Sequence, residues 1–240
     1  MSLWDKTMII PEILFEDNQI LVALKPPGIL SQEASLDAED MLTILKQYLK
    51  KKYNKPGNVF LGLVHRLDHN TGGIMVFAKT SKAASRLSNS IRLGEFEKTY
   101  LAVIEGEIKT GSSGEFLDYL NKDNQQLKAF TSVKEQGKQA KLSYRSIAQS
   151  TLANIKTTLI EVSLETGRFH QIRAQFASRR YPLLNDIKYG AKPVANNDLI
   201  ALWAYKLAFK HPVSGEWLTF RKEPQNILFD AYSDIISQLN

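Results

Sequence analysis

One aspartate in the first third of the chain stands where a carboxylate could do chemistry. Asp68 lies in the segment Val64–Lys79 (VHRLDHNTGGIMVFAK), and two runs of strand-forming residues, Val59–Val64 and Ile74–Ala78, flank its polar turn. A carboxylate just past the end of a strand can be presented to a cleft by a rigid scaffold. An aspartate in a turn is also common as a cap for backbone N–H groups. The position alone leaves the catalytic and the structural interpretation open.

Basic residues form two groups that suggest an anionic partner, in a chain whose net charge is +6. Planar guanidinium groups suit phosphates, so the arginine group favours a nucleic-acid partner. For the lysine group, a solvated helix face is an equal alternative. The two groups are Arg168, Arg173, Arg179 and Arg180, and Lys46, Lys50, Lys51, Lys52 and Lys55.

Other common active-site patterns are missing from the sequence. It has no G-x-S-x-G nucleophile elbow, no G-K-[ST] phosphate loop, no G-x-G-x-x-G segment and no H-E-x-x-H pair. The four histidines lack metal-ligand spacing, and the chain has no cysteine. We therefore expect neither a metal nor a cofactor. For His65 and His170 we favour hydrogen-bonded structural roles over metal ligation.

Several segments in consistent order, from about Pro11 to Pro224, resemble the RluA-type pseudouridine synthases. The HRLD of residues 65–68 resembles the segment that carries the family's catalytic aspartate, and ETGRFHQIR (165–173) resembles its TGR-x-HQ-[IL]-R motif. The opening with KPPG (25–28), the segment KTYLAVIEG (98–106) and the segment YPLLNDIKYG (181–190) also match. One such motif is a weak signal, whereas five in order are strong.

The resemblance implies an RNA uridine isomerase that needs no cofactor. The C1′–N1 glycosidic bond of uridine must break, and a C1′–C5 bond must form. Asp68 would act as a nucleophile, stabilise a cationic sugar or remove a sugar proton, and the sequence does not choose among these roles. Arg173 would pair with Asp68 and lower its pKa by ~1–3 units against the effect of burial. Tyr100 would stack on the flipped base.

The same motifs imply a set of substrate-binding residues. Arg66 would fill the space left by the extruded nucleotide or bind its phosphate, and Ile172 would form the apolar wall of the uracil pocket. Three further motif residues are expected to bind the RNA: His65, Arg168 and Gln171. The expected partner is a stem-loop of ribosomal or transfer RNA.

Four positions depart from the family's pattern. Gly72 replaces a usual serine, Phe169 a threonine, Asn185 a glycine and Trp203 a histidine. None of these changes removes a group with a catalytic role. We therefore expect them to affect substrate preference and turn flexibility rather than the chemistry.

Strand-forming runs with interspersed helices predict an α+β fold with an extended mixed, mostly antiparallel sheet, packed helices and a central active-site cleft. The predicted strands are Ile13–Phe15, Ile20–Leu24, Val59–Val64, Ile74–Ala78, Thr99–Glu105, Leu142–Ala148, Thr157–Leu164, Ala201–Phe209 and Trp217–Phe220. The predicted helices are Glu39–Tyr53 with caps at Ser35 or Asp37, Ser81–Leu93 ending at Gly94, Phe169–Ser178 and Ile227–Leu239. The polar stretch Gly111–Gln139 is expected to be a long excursion from the sheet.

We expect one catalytic domain at residues 11–240 after an N-terminal extension of residues 1–10, without an accessory RNA-binding domain. No secretory signal or long apolar run is present, so a cytoplasmic monomer is expected. Two alternatives are an RNA-binding protein without turnover and a glycoside hydrolase with paired carboxylates. Retention of Asp68, Tyr100 and Arg173 counts against the first, and the lack of a second well-placed acid counts against the other.

Overall fold

The structure is a computed structural model that describes residues 10–32, 40–195 and 199–239. Within these residues the chain forms eleven strands and four α-helices. The strands are β1 (Ile13–Glu16), β2 (Ile20–Lys25), β3 (Gly62–Leu63), β4 (Gly72–Ala78), β5 (Phe96–Glu105), β6 (Ser113–Asp123), β7 (Lys128–Ser132), β8 (Lys138–Leu152), β9 (Ile155–Leu164), β10 (Leu202–Lys210) and β11 (Trp217–Arg221). The helices are α1 (Met41–Lys52), α2 (Ser81–Arg92), α3 (Gln171–Ser178) and α4 (Ser233–Ile236), with 3-10 turns at Ile187–Tyr189 and Ile227–Tyr232.

All eleven strands join one sheet in the order β1-β2-β4-β10-β5-β9-β8-β6-β7, with β3 paired to β4 and β11 paired to β10. Among these strands, β4 and β10 form a parallel pair and the other pairs are antiparallel. Strands β2 and β4 are buried along their whole length. The predicted α+β fold with a mixed, mostly antiparallel sheet is confirmed.

Helices cover both faces of the sheet, because each face carries an apolar layer that must be shielded from water. On one face, α1 and α3 contribute Leu45 and Phe176 to a buried cluster. On the other face, α2 contributes Leu87, and the C-terminal segment contributes Phe229. Among the described residues, no helix is long and apolar enough to span a bilayer.

Side-chain caps determine where two of the helices begin. Asp40 caps α1 by accepting the backbone N–H of Thr43 at 3.0 Å, whereas the predicted caps Ser35 and Asp37 lie outside the described residues. The Thr80 hydroxyl caps α2. The residue after α2 and its C-cap is Gly94, whose φ of +76° is the left-handed geometry expected where a helix stops.

Three predicted elements were wrong in extent, and one segment was misassigned. The predicted strand Leu142–Ala148 is the middle of β8, which extends from Lys138 to Leu152. Gly111–Gln139 contains β6 and β7, which continue the sheet at its edge rather than leaving it. Its two strands lie largely in solvent, so their polar composition hid them. Only Gly62–Leu63 of Val59–Val64 pairs as a strand, and the C-terminal helix is a 3-10 turn followed by the one-turn α4.

Candidate active site

The segments that the sequence singles out meet in one cavity on the face of the sheet that carries α1 and α3. The loop between β3 and β4, strand β5, the loop before α3 and the helix itself form most of its wall. Seven of the eight predicted site residues line it, and His65 does not. The lining residues are Arg66, Leu67, Asp68, Thr71, Tyr100, Leu164, Gly167, Arg168, His170, Gln171, Ile172, Arg173 and Leu202.

Hydrogen bonds from the turn after β2 hold the loop that carries Asp68. The Ser31 hydroxyl donates to the Leu67 carbonyl at 2.8 Å and accepts the Leu67 N–H at 3.0 Å. The Gly28 N–H donates to the His69 carbonyl at 2.9 Å. These bonds fix the backbone on both sides of Asp68, so the carboxylate is presented by a braced loop.

A fully buried lysine completes this brace. Lys25 is 0% exposed, and its ammonium group donates to three backbone carbonyls, those of Pro26, Ile29 and His69, at 3.0, 2.5 and 3.0 Å. Burial lowers the pKa of Lys25 from 10.5 to about 7, and the negative charge of Asp68 acts in the opposite direction. Lys25 therefore ties the turn after β2 to the residue that follows Asp68.

Arg173 is the cation that faces Asp68, but Asp186 is its main partner. Its Nε and Nη2 donate to the two carboxylate oxygens of Asp186 at 2.7 and 2.8 Å. Its Nη1 lies 3.4 Å from Oδ2 of Asp68. The side chains of Arg173 and Asp186 are 6% and 1% exposed, whereas that of Asp68 is 24% exposed, toward the cavity. The guanidinium of Arg173 thus contacts both Asp68 and Asp186, and the more deeply buried Asp186 holds it in place.

The pKa of Asp68 is raised above its ordinary value of 3.8, because burial disfavours the charged form. The charge and hydrogen bond of Arg173 act downward, as the sequence predicted, and Lys25 adds to this. They do not outweigh burial, and the nearby charge of Asp186 acts upward. The expected opposition of Arg173 to burial is therefore present, but burial has the larger effect on the pKa of Asp68.

His170 stands beside the pair in its neutral form. Its Nε2 lies 3.0 Å from Nη1 of Arg173, and its Nδ1 lies 3.0 Å from the Tyr189 hydroxyl. Burial lowers the pKa of His170 to about 3, and the charge of Arg173 adds to the effect. Because Nε2 accepts from the guanidinium, the neutral ring carries its proton on Nδ1 and donates to Tyr189.

Tyr100 and Ile172 form the apolar part of the cavity wall. They are 7% and 4% exposed. Within the described residues, the Tyr100 hydroxyl has no hydrogen-bond partner. Burial raises the pKa of Tyr100, and the charge of Asp68 raises it further, so the phenol stays protonated. The hydroxyl of Thr71 is also buried without a partner among the described residues, next to the same cavity.

The other predicted binding residues fall into two kinds. Arg66 and Arg168 are exposed at the cavity, and Arg168 uses its Nε to donate to the Gln139 carbonyl at 2.8 Å. Gln171 is 3% exposed, and its amide is committed to its own loop through Thr166, Arg168 and the Lys141 carbonyl. His65 accepts the backbone N–H of Val76 at 3.0 Å, which is a structural role.

Sequence reasoning assigned no role to three residues that build the site, Lys25, Asp186 and Tyr189, and for His170 it favoured only a hydrogen-bonded structural role. Each stands inside a segment that had already matched the family's motifs. Their contacts join segments far apart in the chain, so only the motif context could have signalled them. Among the described residues, no group of three or more His, Asp or Glu side chains could hold a metal ion.

Comparison with known proteins places this geometry in a family. The family model described as RNA pseudouridylate synthase matches residues 19–178. An uncharacterized RNA pseudouridine synthase of Aquifex aeolicus is 32% identical over 92% of this chain and 72% of its own length. The ribosomal large subunit pseudouridine synthase D of Zymomonas mobilis is 34% identical over 90% of this chain and 70% of its own.

A solved structure has the same fold. Human RNA pseudouridylate synthase domain containing 4 superposes with a TM-score of 0.72 at 20% identity, covering 92% of this chain and 91% of that one. With the family match over most of the chain, the predicted membership is confirmed. The chain belongs to the RNA pseudouridylate synthase family, whose members are isomerases.

Proposed function

We propose that this chain converts uridine to pseudouridine in RNA at the cavity described above, with Asp68 as the catalytic group. The observation that carries the proposal is the position of the Asp68 carboxylate. It faces a cavity walled by Tyr100 and Ile172, with Arg173 fixed 3.4 Å behind it. A carboxylate, a fixed cation and an aromatic face in one cavity suit a flipped pyrimidine nucleotide.

The isomerisation is balanced within the substrate. The C1′–N1 bond breaks, the C1′–C5 bond forms, the proton on C5 leaves to solvent and N1 ends with a proton. Asp68 supplies the negative charge that the sugar or base needs while the glycosidic bond is open, as a nucleophile, a stabilising charge or a base. His170 is neutral and bonded to Arg173, and Tyr100 is a protonated phenol, so neither competes for that role.

We propose that the substrate is ribosomal RNA of the large subunit. Two relatives that match most of this chain bear that substrate in their names, the synthases D of Zymomonas mobilis and Vibrio cholerae, at 34% and 32% identity. Transfer RNA is the alternative, as the sequence also allowed. Residues 11–240 would form the catalytic domain, acting as a cytoplasmic monomer, which light scattering and fractionation would test.

The test is to incubate the purified chain with an unmodified large-subunit rRNA transcript and with bulk transfer RNA transcripts. Release of tritium from [5-³H]uridine measures turnover, and chemical mapping locates the product. We expect pseudouridine at defined positions of the ribosomal transcript and none with Asp68→Asn. Modification of transfer RNA alone would overturn the substrate proposal, and turnover by Asp68→Asn within tenfold of wild type would overturn the catalytic assignment.

A further inference from the structure

A border of positive charge runs along one side of the cavity, on the hairpin of β6 and β7 and the turn beside it. Its members are Lys122, Lys128, Arg168 and Lys188. Among the described residues, none of the four forms an ion pair with a carboxylate. Unpaired cations at the edge of a site are available to an anionic partner.

Two of these lysines rest on aromatic rings that contact His170, a residue of the cavity wall. Nζ of Lys122 lies 4.7 Å from the centre of the Phe169 ring, and that ring stacks on His170 with 3.8 Å between ring centres. Nζ of Lys128 lies 4.9 Å from the centre of the Tyr189 ring. The ammonium groups are thus held close to the cavity rather than free in solvent.

The hairpin has a fixed position relative to the catalytic pair. The Ala129 N–H in β7 donates to the Tyr189 hydroxyl at 2.8 Å, and that hydroxyl lies 3.0 Å from His170. The guanidinium of Arg173 lies 5.0 Å from the centre of the Tyr189 ring. A chain of contacts therefore sets the spacing between the hairpin lysines and Asp68.

Two lysines of the border act electrostatically on a residue of the site. The charges of Lys188 and Lys122 contribute to the lowered pKa of His170, after burial and Arg173. The nearest acid of the hairpin, Asp123, uses Oδ1 to accept the N–H groups of Gln125 and Gln126 at the turn.

We propose that Lys122, Lys128, Arg168 and Lys188 bind the phosphate backbone of the RNA that flanks the target uridine. This rests on the proposed function, and it names the side of the cavity along which the RNA runs. Lysines act on phosphates as point charges, so the border contributes affinity and direction rather than base specificity.

The experiment compares two triple variants of equal charge. Lys122→Gln/Lys128→Gln/Lys188→Gln removes three lysines of the border, and Lys46→Gln/Lys50→Gln/Lys51→Gln removes three from α1. The dissociation constant for a large-subunit rRNA transcript is measured from 50 to 200 mM salt. Each phosphate contact adds ~0.7–0.9 to the salt slope, so removing three lysines should lower the slope of the border variant by about 2.1–2.7 units. The ratio of its affinity to that of wild type should therefore change about 18- to 42-fold between 50 and 200 mM salt, whereas the α1 variant should follow wild type.

The single-turnover rate at saturating RNA should stay within twofold of wild type in the border variant, because the lysines do not touch the reacting atoms. An unchanged salt slope, an equal loss in the α1 variant, or a slower bound-state rate at unchanged affinity would each overturn the proposal. If the triple variant does not fold, the exposed Lys188→Glu alone should weaken binding more than Lys188→Gln, and equal binding of the two would overturn it. Binding is measured apart from turnover. If the wild-type chain binds RNA without isomerising it, the assignment of Asp68 is refuted, but the proposed binding role of the four border residues is not.

Discussion

Replacing Asp186 with asparagine removes the main partner of a buried guanidinium and keeps the size of the side chain. Asp186 accepts two hydrogen bonds from Arg173, at 2.7 and 2.8 Å, and both side chains are nearly inaccessible to solvent. An asparagine at this position offers one acceptor oxygen and turns an N–H₂ group toward a donor. The substitution therefore leaves the charge of Arg173 with Asp68 alone, at 3.4 Å.

The expected loss of stability follows from this geometry. Removing one partner of a buried ion pair costs ~3–5 kcal/mol, because the other charge stays buried without compensation. Asp68 supplies part of that compensation through its longer contact, so we expect the lower end, about 3 kcal/mol. For a domain of 150–250 residues, each kcal/mol lowers Tm by about 2–4 °C, which gives a decrease of about 6–12 °C for Asp186→Asn.

Urea and thermal unfolding of the two proteins without RNA measure this loss. The matched control is Glu12→Gln, which breaks an ion pair of equal length, 2.7 Å to Lys222, between side chains that are 45% and 30% exposed. Exposed pairs contribute ~0–1 kcal/mol. If Asp186→Asn destabilises the protein no more than Glu12→Gln does, then Asp186 does not hold Arg173 in the way the distances indicate.

Four further predictions concern the same site. Asp68→Asn should abolish turnover and leave Tm unchanged or raised. The pKa of Asp68 is raised in the folded state, so its ionised carboxylate costs stability at pH values above the pKa of the unfolded chain. A clear drop in Tm would contradict this. For the same reason, the bound-state rate of wild type should fall, as the solution is acidified, at a higher pH than for an ordinary aspartate. Tyr100→Phe should keep RNA binding and measurable turnover, because the Tyr100 hydroxyl has no partner among the described residues. Tyr100→Ala should lose ~1–3 kcal/mol of base stacking. If the two variants lose RNA binding and single-turnover rate equally, then the hydroxyl matters. Because the pKa of Lys25 is lowered, its protonation costs the wild-type protein increasing stability as pH falls from 10.5 to about 7. The stability of Lys25→Met relative to wild type, measured by urea titration, should therefore rise as the pH is lowered over that interval. A constant difference would refute the assignment.

Apolar patterning was enough to predict the centre of the fold. Ile20–Leu24 and Ile74–Ala78 are continuous apolar runs, and they became the fully buried strands β2 and β4. The hairpin of β6 and β7 was missed, because strands at or next to the edge of the sheet bury too few side chains here to leave a periodic signal. In β6 only Phe116 and Leu120 are buried, four positions apart.

Ion pairing could not be predicted to the same degree. The motif predicted that Arg173 lies beside Asp68, and the two side chains are 3.4 Å apart. The carboxylate that holds Arg173, however, comes from a turn thirteen residues later. That turn depends on a left-handed residue, Asn185 with φ of +64°, at the position where the family has glycine. Asparagine tolerates this backbone geometry better than most residues, so the departure preserves the turn that delivers Asp186.

Two other departures from the family pattern explain each other. A Cβ atom at Gly72 would lie 2.3 Å from the ring of Trp203, so the indole occupies the space that the usual serine would need. Trp203 is fully buried, and its Nε1 donates to the Lys222 carbonyl at 2.8 Å. Two sequence changes that look independent are therefore one packing exchange, made where β4 and β10 pair in parallel beside the catalytic loop.

The site combines a firmly held cation with a carboxylate that is held less firmly. Asp186 takes two short hydrogen bonds from Arg173, so the guanidinium keeps its place whether or not Asp68 is charged. Asp68 retains one longer contact and an open side toward the cavity, and burial raises its pKa. A carboxylate bound as tightly as Asp186 would be a poor nucleophile or base, because its lone pairs would be committed to hydrogen bonds. Asp186 thus holds the guanidinium in place, and Asp68 keeps an open side with which to react with a nucleotide that enters the cavity.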